Sequence, residues 1–155
     1  QLVAHRPRPR AMELVRAPEH AAFEIELDAL SCQFAAISVE AAFAFPAAAP
    51  VEDLKSALAK ILGGGDRFAP VAGRFVKRGA ATLICCDNAG VPFTSAKEDS
   101  PAPSLDRPAG AALFDLVQSC VPAGDGETGD APCRIKVTDF ADGQQIIAIS
   151  VCHAM

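Results

Sequence analysis

The sequence predicts a mixed α/β domain, a β-sheet with helices packed on it. Three observations point there. Short runs alternate between apolar and polar residues, the period of half-buried strands. One longer stretch, Pro50 to Leu62, places its apolar residues at helical spacing. Turn-forming Gly, Asn and Asp separate these runs, so helix and strand follow one another at short intervals. The chain has 155 residues, of which 50% are apolar and 21% charged. That is enough for one domain with its own core, and it excludes disorder of the chain as a whole.

In chain order, residues 1–22 read as an irregular N-terminal arm and 23–155 as the folded domain. The arm holds the basic tract Arg6-Pro7-Arg8-Pro9-Arg10. Its prolines keep it extended, and it reads as solvated rather than as a nucleic-acid patch. Phe23-Glu24-Ile25-Glu26-Leu27-Asp28 alternates strictly, so it is a strand with one buried face. Ile37 to Phe45, ending at Pro46, is a second strand. In the helix Pro50–Leu62, the residues Val51, Leu54, Leu58, Ile61 and Leu62 form the apolar face. Glu52 and Asp53 sit in its first turn and Lys60 near its last, as the helix dipole favours. Gly63-Gly64-Gly65 stops the helix. A phosphate loop does not fit, because the glycines follow a helix and no Gly-Lys-Ser/Thr comes after them.

Strands over 73–77 and 81–86 form a hairpin around Arg78-Gly79-Ala80. Asn88-Ala89-Gly90 is a turn, and Val91 to Thr94 is extended. Residues 97–110 read as loop, and 113–121 is open between helix and strand. The acidic glycine stretch 124–132 lacks the ligand spacing of a calcium loop and reads as mobile. Arg134 to Phe140 alternates, with Ile135 and Val137 on one face. Asp142-Gly143 turns the chain into Gln145–Cys152. That last strand is almost continuously apolar, which predicts a central position with both faces buried.

Charge and cysteine usage exclude several classes of function. The net charge is −5, from 14 basic and 19 acidic residues, so nothing predicts a grip on nucleic-acid phosphates. No apolar run reaches the length of a membrane span, and no leader pattern is visible. The six Cys show neither CxxC spacing nor a paired rhythm, which predicts free thiols in a reducing, cytoplasmic setting. His5, His20 and His153 are scattered, so no metal site is expected. Cys152 and His153 adjoin in a strand and point to opposite faces, so they cannot form a dyad. His153 itself stands at the end of the strand expected at the sheet centre. Chemistry often sits at such strand ends, and a neutral imidazole there suits a general base. By position alone, an imidazole satisfied structurally is the commoner outcome.

Four segments, in order, resemble the N-terminal part of the BAHD family of acyl-CoA-dependent acyltransferases. Leu30-Ser31 followed by a strand ending Phe43-Ala44-Phe45-Pro46 is similar to that family's opening "LS…FYP" region. Val51-Glu52-Asp53-Leu54-Lys55-Ser56-Ala57-Leu58 with Pro70-Val71-Ala72-Gly73-Arg74-Phe75 resembles "LKxSL…PLAGR". Ile84 to Phe93 resembles "IxCNxxGVxF". Val137-Thr138-Asp139-Phe140 through Val151-Cys152-His153-Ala154-Met155 resembles the stretch leading into the HXXXD motif, ending before its Asp. The family Asp three residues after the early Ser is here Phe34, and Gln144 stands where a second Gly is common.

The resemblance implies the N-terminal part of the two-domain, chloramphenicol acetyltransferase-like fold. It implies acyl transfer from acyl-CoA, as co-substrate and with no bound cofactor, to a small-molecule alcohol or amine. His153 would be the catalytic base, Gly73 and Arg74 structural, and the intact protein a monomer in the cytoplasm. The chain would be a truncated portion, inactive alone, with the motif Asp expected as the second residue beyond Met155. Two alternatives stay open. One is a binding or structural protein that kept the fold without the chemistry. The other is a peptide-synthetase condensation-type domain, whose motif usually begins His-His, where this chain has Cys152-His153.

Overall fold

The computed structural model describes residues 8–9, 12–104, 116–117 and 129–155. Two sheets form the framework. The larger has strand order β1-β7-β8-β9-β4, with β2 also pairing β7; the smaller has order β3-β6-β5. The strands are β1 (Arg8–Pro9), β2 (Glu13–Val15), β3 (Phe23–Glu26), β4 (Ser38–Phe45), β5 (Arg74–Arg78), β6 (Ala81–Cys86), β7 (Val91–Glu98), β8 (Cys133–Phe140) and β9 (Gln145–Cys152). Helix α1 covers Ala29–Phe34, α2 covers Val51–Leu62, and a 3-10 helix runs over Asp66–Ala72. The β7–β8 pair is parallel, and the other pairs are antiparallel. This is the mixed α/β architecture that the pattern of runs predicts.

α2 lies on one face of the larger sheet. Its Val51, Leu54, Leu58 and Leu62 pack against Val91, Phe93, Cys133, Val137, Ile147 and Ile149. Full burial of such a side chain is worth about 1.5–3 kcal/mol; Leu62 reaches it, while Val51, Leu54 and Leu58 are half-buried and contribute less. Ile61, expected on the same face, is 53% exposed instead. It comes one residue before Leu62, about 100° around the helix, and only Leu62 turns inward. The Gly63 N–H bonds to Ala59 O and ends the helix as expected; Gly65 then takes φ +107°.

The β8–β9 hairpin is the best-read element. The chain turns at 141–144, where the Asp142 carboxylate accepts from Gln144 N and Ala102 N. β9 is central, between β8 and β4, as its composition predicts. Its faces differ, however. Ile146, Ala148, Ser150 and Cys152 are buried, while Ile147, Ile149 and Val151 are half-buried. A single helix does not cover the whole of that second face.

Other expectations change. The arm over 1–22 is not irregular throughout. Residues 8–9 pair with Ala96 and Lys97, and β2 pairs with Val91–Phe93 along the free edge of β7. The Asn88 side-chain amide clasps the arm by accepting from Ala17 N at 2.9 Å and donating to Ala17 O at 3.0 Å. Strands this short leave no periodicity to read; the open edge of β7 supplies their hydrogen bonds. β7 itself runs on to Glu98, past both the expected end at Thr94 and the start of the expected loop. Residues 129–132 are fixed rather than mobile. Gly129 N donates to Phe75 O, Phe75 N donates to Asp130 O, and Ala131 and Pro132 are buried. The readings of 105–110 and 124–128 as loop, and most of the open segment 113–121, lie outside the described residues. Within that segment Leu116 is buried against Phe140 and Ile146.

Among the described residues, no helix is long and apolar enough to cross a membrane.

Candidate active site

β9 carries its last strand residue, Cys152, into the core of the smaller sheet. There Cys152 is 2% exposed and packs with Ala35, Ala69, Phe75, Ile84 and Cys86. Ala154 packs against the same cluster. His153, between two residues drawn inward, is driven out and stands exposed. Cys152 and His153 therefore do point to opposite sides, as strand geometry requires.

The backbone at this point is tied from both flanks. Cys152 N donates to Pro132 O at 2.8 Å and His153 N donates to Ile37 O at 2.8 Å. The Cys152 thiol reaches Ala35 O at 3.5 Å and Phe34 O at 3.8 Å. Burial pushes that thiol's pKa up, against a lowering contribution from the Ala154 backbone. It is a structural group, not a nucleophile. The His153 ring lies against Phe34, with centroids 4.7 Å apart and planes tilted by 33°. Its nitrogens bond to no side chain among the described residues. An exposed imidazole on a rigid backbone, with its in-plane nitrogens open, can accept a proton from a group presented by solvent or substrate.

Phe34 ends α1, an element that sequence reasoning missed. Asp28 caps α1 by accepting from Ser31 N at 2.7 Å. Asp28 followed by Ala29-Leu30-Ser31 was the available signal, since Asp is a favoured N-cap. A six-residue helix is too short to show an apolar period.

Gly73 and Arg74 lie in the scaffold and not at His153. A Cβ on Gly73 would stand 2.6 Å from Cys85 O, so only glycine fits beside β6. The Arg74 guanidinium donates to the carbonyls of Gly73 and Gly90. Burial lowers its pKa, the nearby Asp87 opposing. The Pro-Val-Ala-Gly-Arg-Phe block thus joins the 3-10 helix, β5 and the 88–90 turn.

The remaining histidines differ. His20 donates through Nε2 to Cys86 O at 2.8 Å and contacts the Phe23 ring, so its polar edge is used structurally. It borders a hollow at the C-terminal end of α2 with Glu19, Leu62, Gly63 and Asp66, whose lining does not include His153. His5 lies outside the described residues. Among the described residues, no group of three or more His, Cys, Asp or Glu could hold a metal ion.

Comparison with known proteins gives the geometry a family context. Residues 27–155 match the profile of the transferase family. Among curated proteins, none matches the chain. Among solved structures, the fold is similar to vinorine synthase at 19% identity and a TM-score of 0.69, over 96% of this chain and 38% of that one. It is also similar to F. sporotrichioides TRI101 complexed with coenzyme A and T-2, at 19% identity and a TM-score of 0.58, over 85% of this chain and 36% of that one. F. graminearum TRI101 complexed with coenzyme A and deoxynivalenol matches at 16% identity and a TM-score of 0.54, over 85% and 34%. The chain therefore spans about 38% of the length of vinorine synthase. At these identities the structural likeness is one of fold, while the profile covers most of the sequence. The strand order, the ordered segments around Gly73 and His153, and the match over residues 27–155 lead to one assignment: this chain belongs to the BAHD transferase family.

Proposed function

We propose that this chain is the base-bearing portion of an enzyme that moves an acyl group from acyl-CoA to the hydroxyl or amine of a small-molecule acceptor. His153 is its general base. One observation carries the reading: the exposed imidazole at the end of the central strand, on a backbone tied to Pro132 and Ile37, at the position where the family's histidine motif begins. Solved relatives in complex with coenzyme A and small-molecule toxins support the substrate classes.

The chemistry follows from the residue. The His153 imidazole takes the proton from the acceptor O–H or N–H as that atom attacks the thioester carbonyl carbon. The new bond to oxygen or nitrogen forms while the carbonyl π pair moves to its oxygen, giving a tetrahedral oxyanion. Collapse breaks the C–S bond, and the CoA thiolate leaves and takes up the proton held by the imidazolium. A general base contributes about 10²–10⁴-fold. Holding donor and acceptor together supplies much of the rest, and that is work for surfaces beyond this chain. We accordingly place acyl-CoA as co-substrate rather than resident cofactor, and take the chain alone as inactive. We also place the enzyme in the cytoplasm, in keeping with six cysteines that show neither CxxC spacing nor a paired rhythm, and take it as a monomer.

The test is release of CoA thiol from a panel of acyl-CoA donors with alcohol and amine acceptors, using the enzyme that carries this chain. Transfer that needs both substrates is the expected result. No transfer with any donor, or transfer by residues 1–155 alone, contradicts the reading.

A further inference from the structure

We propose that Phe34 is a positioning residue for His153: its ring fixes the orientation of the imidazole by a stacked contact and engages neither nitrogen. The inference rests on His153 being the base.

Three observations carry it. First, the two rings face one another at 4.7 Å with a 33° tilt, within the range of offset aromatic pairs. A phenyl ring in this position covers one face of the imidazole. The nitrogen lone pair and N–H lie in the imidazole plane, so both edges stay available.

Second, the contact is built rather than incidental. α1 contains no buried residue of its own. What places it is the strand end. The Cys152 thiol donates to the carbonyls of Phe34 and Ala35, and His153 N donates to Ile37 O. Ala35 and Cys152 are 1% and 2% exposed in one shared core. Each stacked residue thus adjoins a residue anchored in that core: Phe34 beside Ala35, and His153 beside Cys152. The rings meet because their backbones are held.

Third, no side chain among the described residues bonds to the imidazole nitrogens. Which histidine nitrogen carries the proton is ordinarily set by the hydrogen bond that the other one makes. A carboxylate partner would fix ring and tautomer together. A phenyl face fixes the ring and leaves the tautomer to be set when the acceptor binds. Phe34, where the family's usual residue is Asp, therefore gives this chain a base that is oriented without being charge-paired from this side.

Ring-proton NMR on the enzyme that carries this chain, labelled with ¹³C-histidine, reads the contact directly. His153→Gln assigns the signal. In the unmodified protein we expect nuclear Overhauser contacts between the Phe34 and His153 rings, and an upfield His153 signal. In Phe34→Leu that signal moves downfield, and in Phe34→Tyr it stays. His20, beside Phe23, should be unmoved and reports that the fold is intact. In the enzyme that carries this chain, Phe34→Leu should lower kcat by about 10-fold or more with KM little changed, since misorienting a catalytic group costs up to ~10². Phe34→Tyr should restore it.

Absence of the ring–ring contact in the unmodified protein overturns the proposal, and does not depend on any Phe34 variant folding. So does an unchanged kcat in a folded Phe34→Leu. Failure of the base reading looks different: His153→Ala would keep its activity, while the ring contact was still seen in the unmodified protein.

Discussion

His153 owes its exposure to its neighbours. Cys152 and Ala154 are drawn into the core of the smaller sheet, so the residue between them faces outward. Its candidacy was legible in the sequence, from the end of an apolar strand and from the motif that starts there. Its surroundings were not. Ile37 and Phe34 reach it through space, and no local period encodes a contact between residues more than a hundred positions apart. Cys86 shows the same limit. The sequence reads it only as a free thiol, and the structure adds why its pKa rises from 9.0 to about 11: burial foremost, then the nearby Cys85 and Asp87. Two outcomes follow. Cys86 and Cys152 should resist iodoacetamide at pH 8 in the folded chain and react once it is denatured, as mass spectrometry would show. A thiol whose folded pKa is raised holds its proton more tightly when folded. Its contribution is complete below pH 9 and is lost as the pH climbs toward 11. Denaturation midpoints should therefore fall across that interval, and Cys86→Ala should flatten the fall.

Elements with a strong local period were read well, and those held by their neighbours were not. α2 carries apolar residues at 3.6 spacing, β8 alternates at 2.0, and β9 is an almost unbroken apolar run, so each announces itself. α1, the 3-10 helix and β2 are short and take their shape from Asp28, from Pro70 and Gly73, and from the open edge of β7. The 73–75 block is the joint among them. Gly73→Ala would bring a Cβ to 2.6 Å from the Cys85 carbonyl, a backbone atom that moves only if β6 moves. We expect a loss of about 1–3 kcal/mol, the usual scale of overpacking, in a urea titration. Phe75, fully buried in the cluster that receives Cys152, is the second support. Phe75→Ala should cost about 3–5 kcal/mol and broaden the His153 resonance, because the core that fixes the strand end is then hollow.

At the scale of the whole molecule, the arm pairs along one edge of the larger sheet, and among the described residues β4 forms the other edge. Among the described residues β4 pairs only with β9, and it displays Val39 and Phe43 at 54% and 51% exposure. These share the face of Val151 and Ile147, where α2 leaves them uncovered. An apolar strand with a free edge invites pairing with another chain. Residues 1–155 alone should therefore self-associate in light scattering, and Phe43→Lys should reduce the effect. His153 as the base has a direct test in the enzyme that carries this chain. Single-turnover acyl transfer should be about 10²–10⁴ slower in His153→Ala than in the native protein, with part of the rate restored by added imidazole. An unchanged rate in His153→Ala would contradict it.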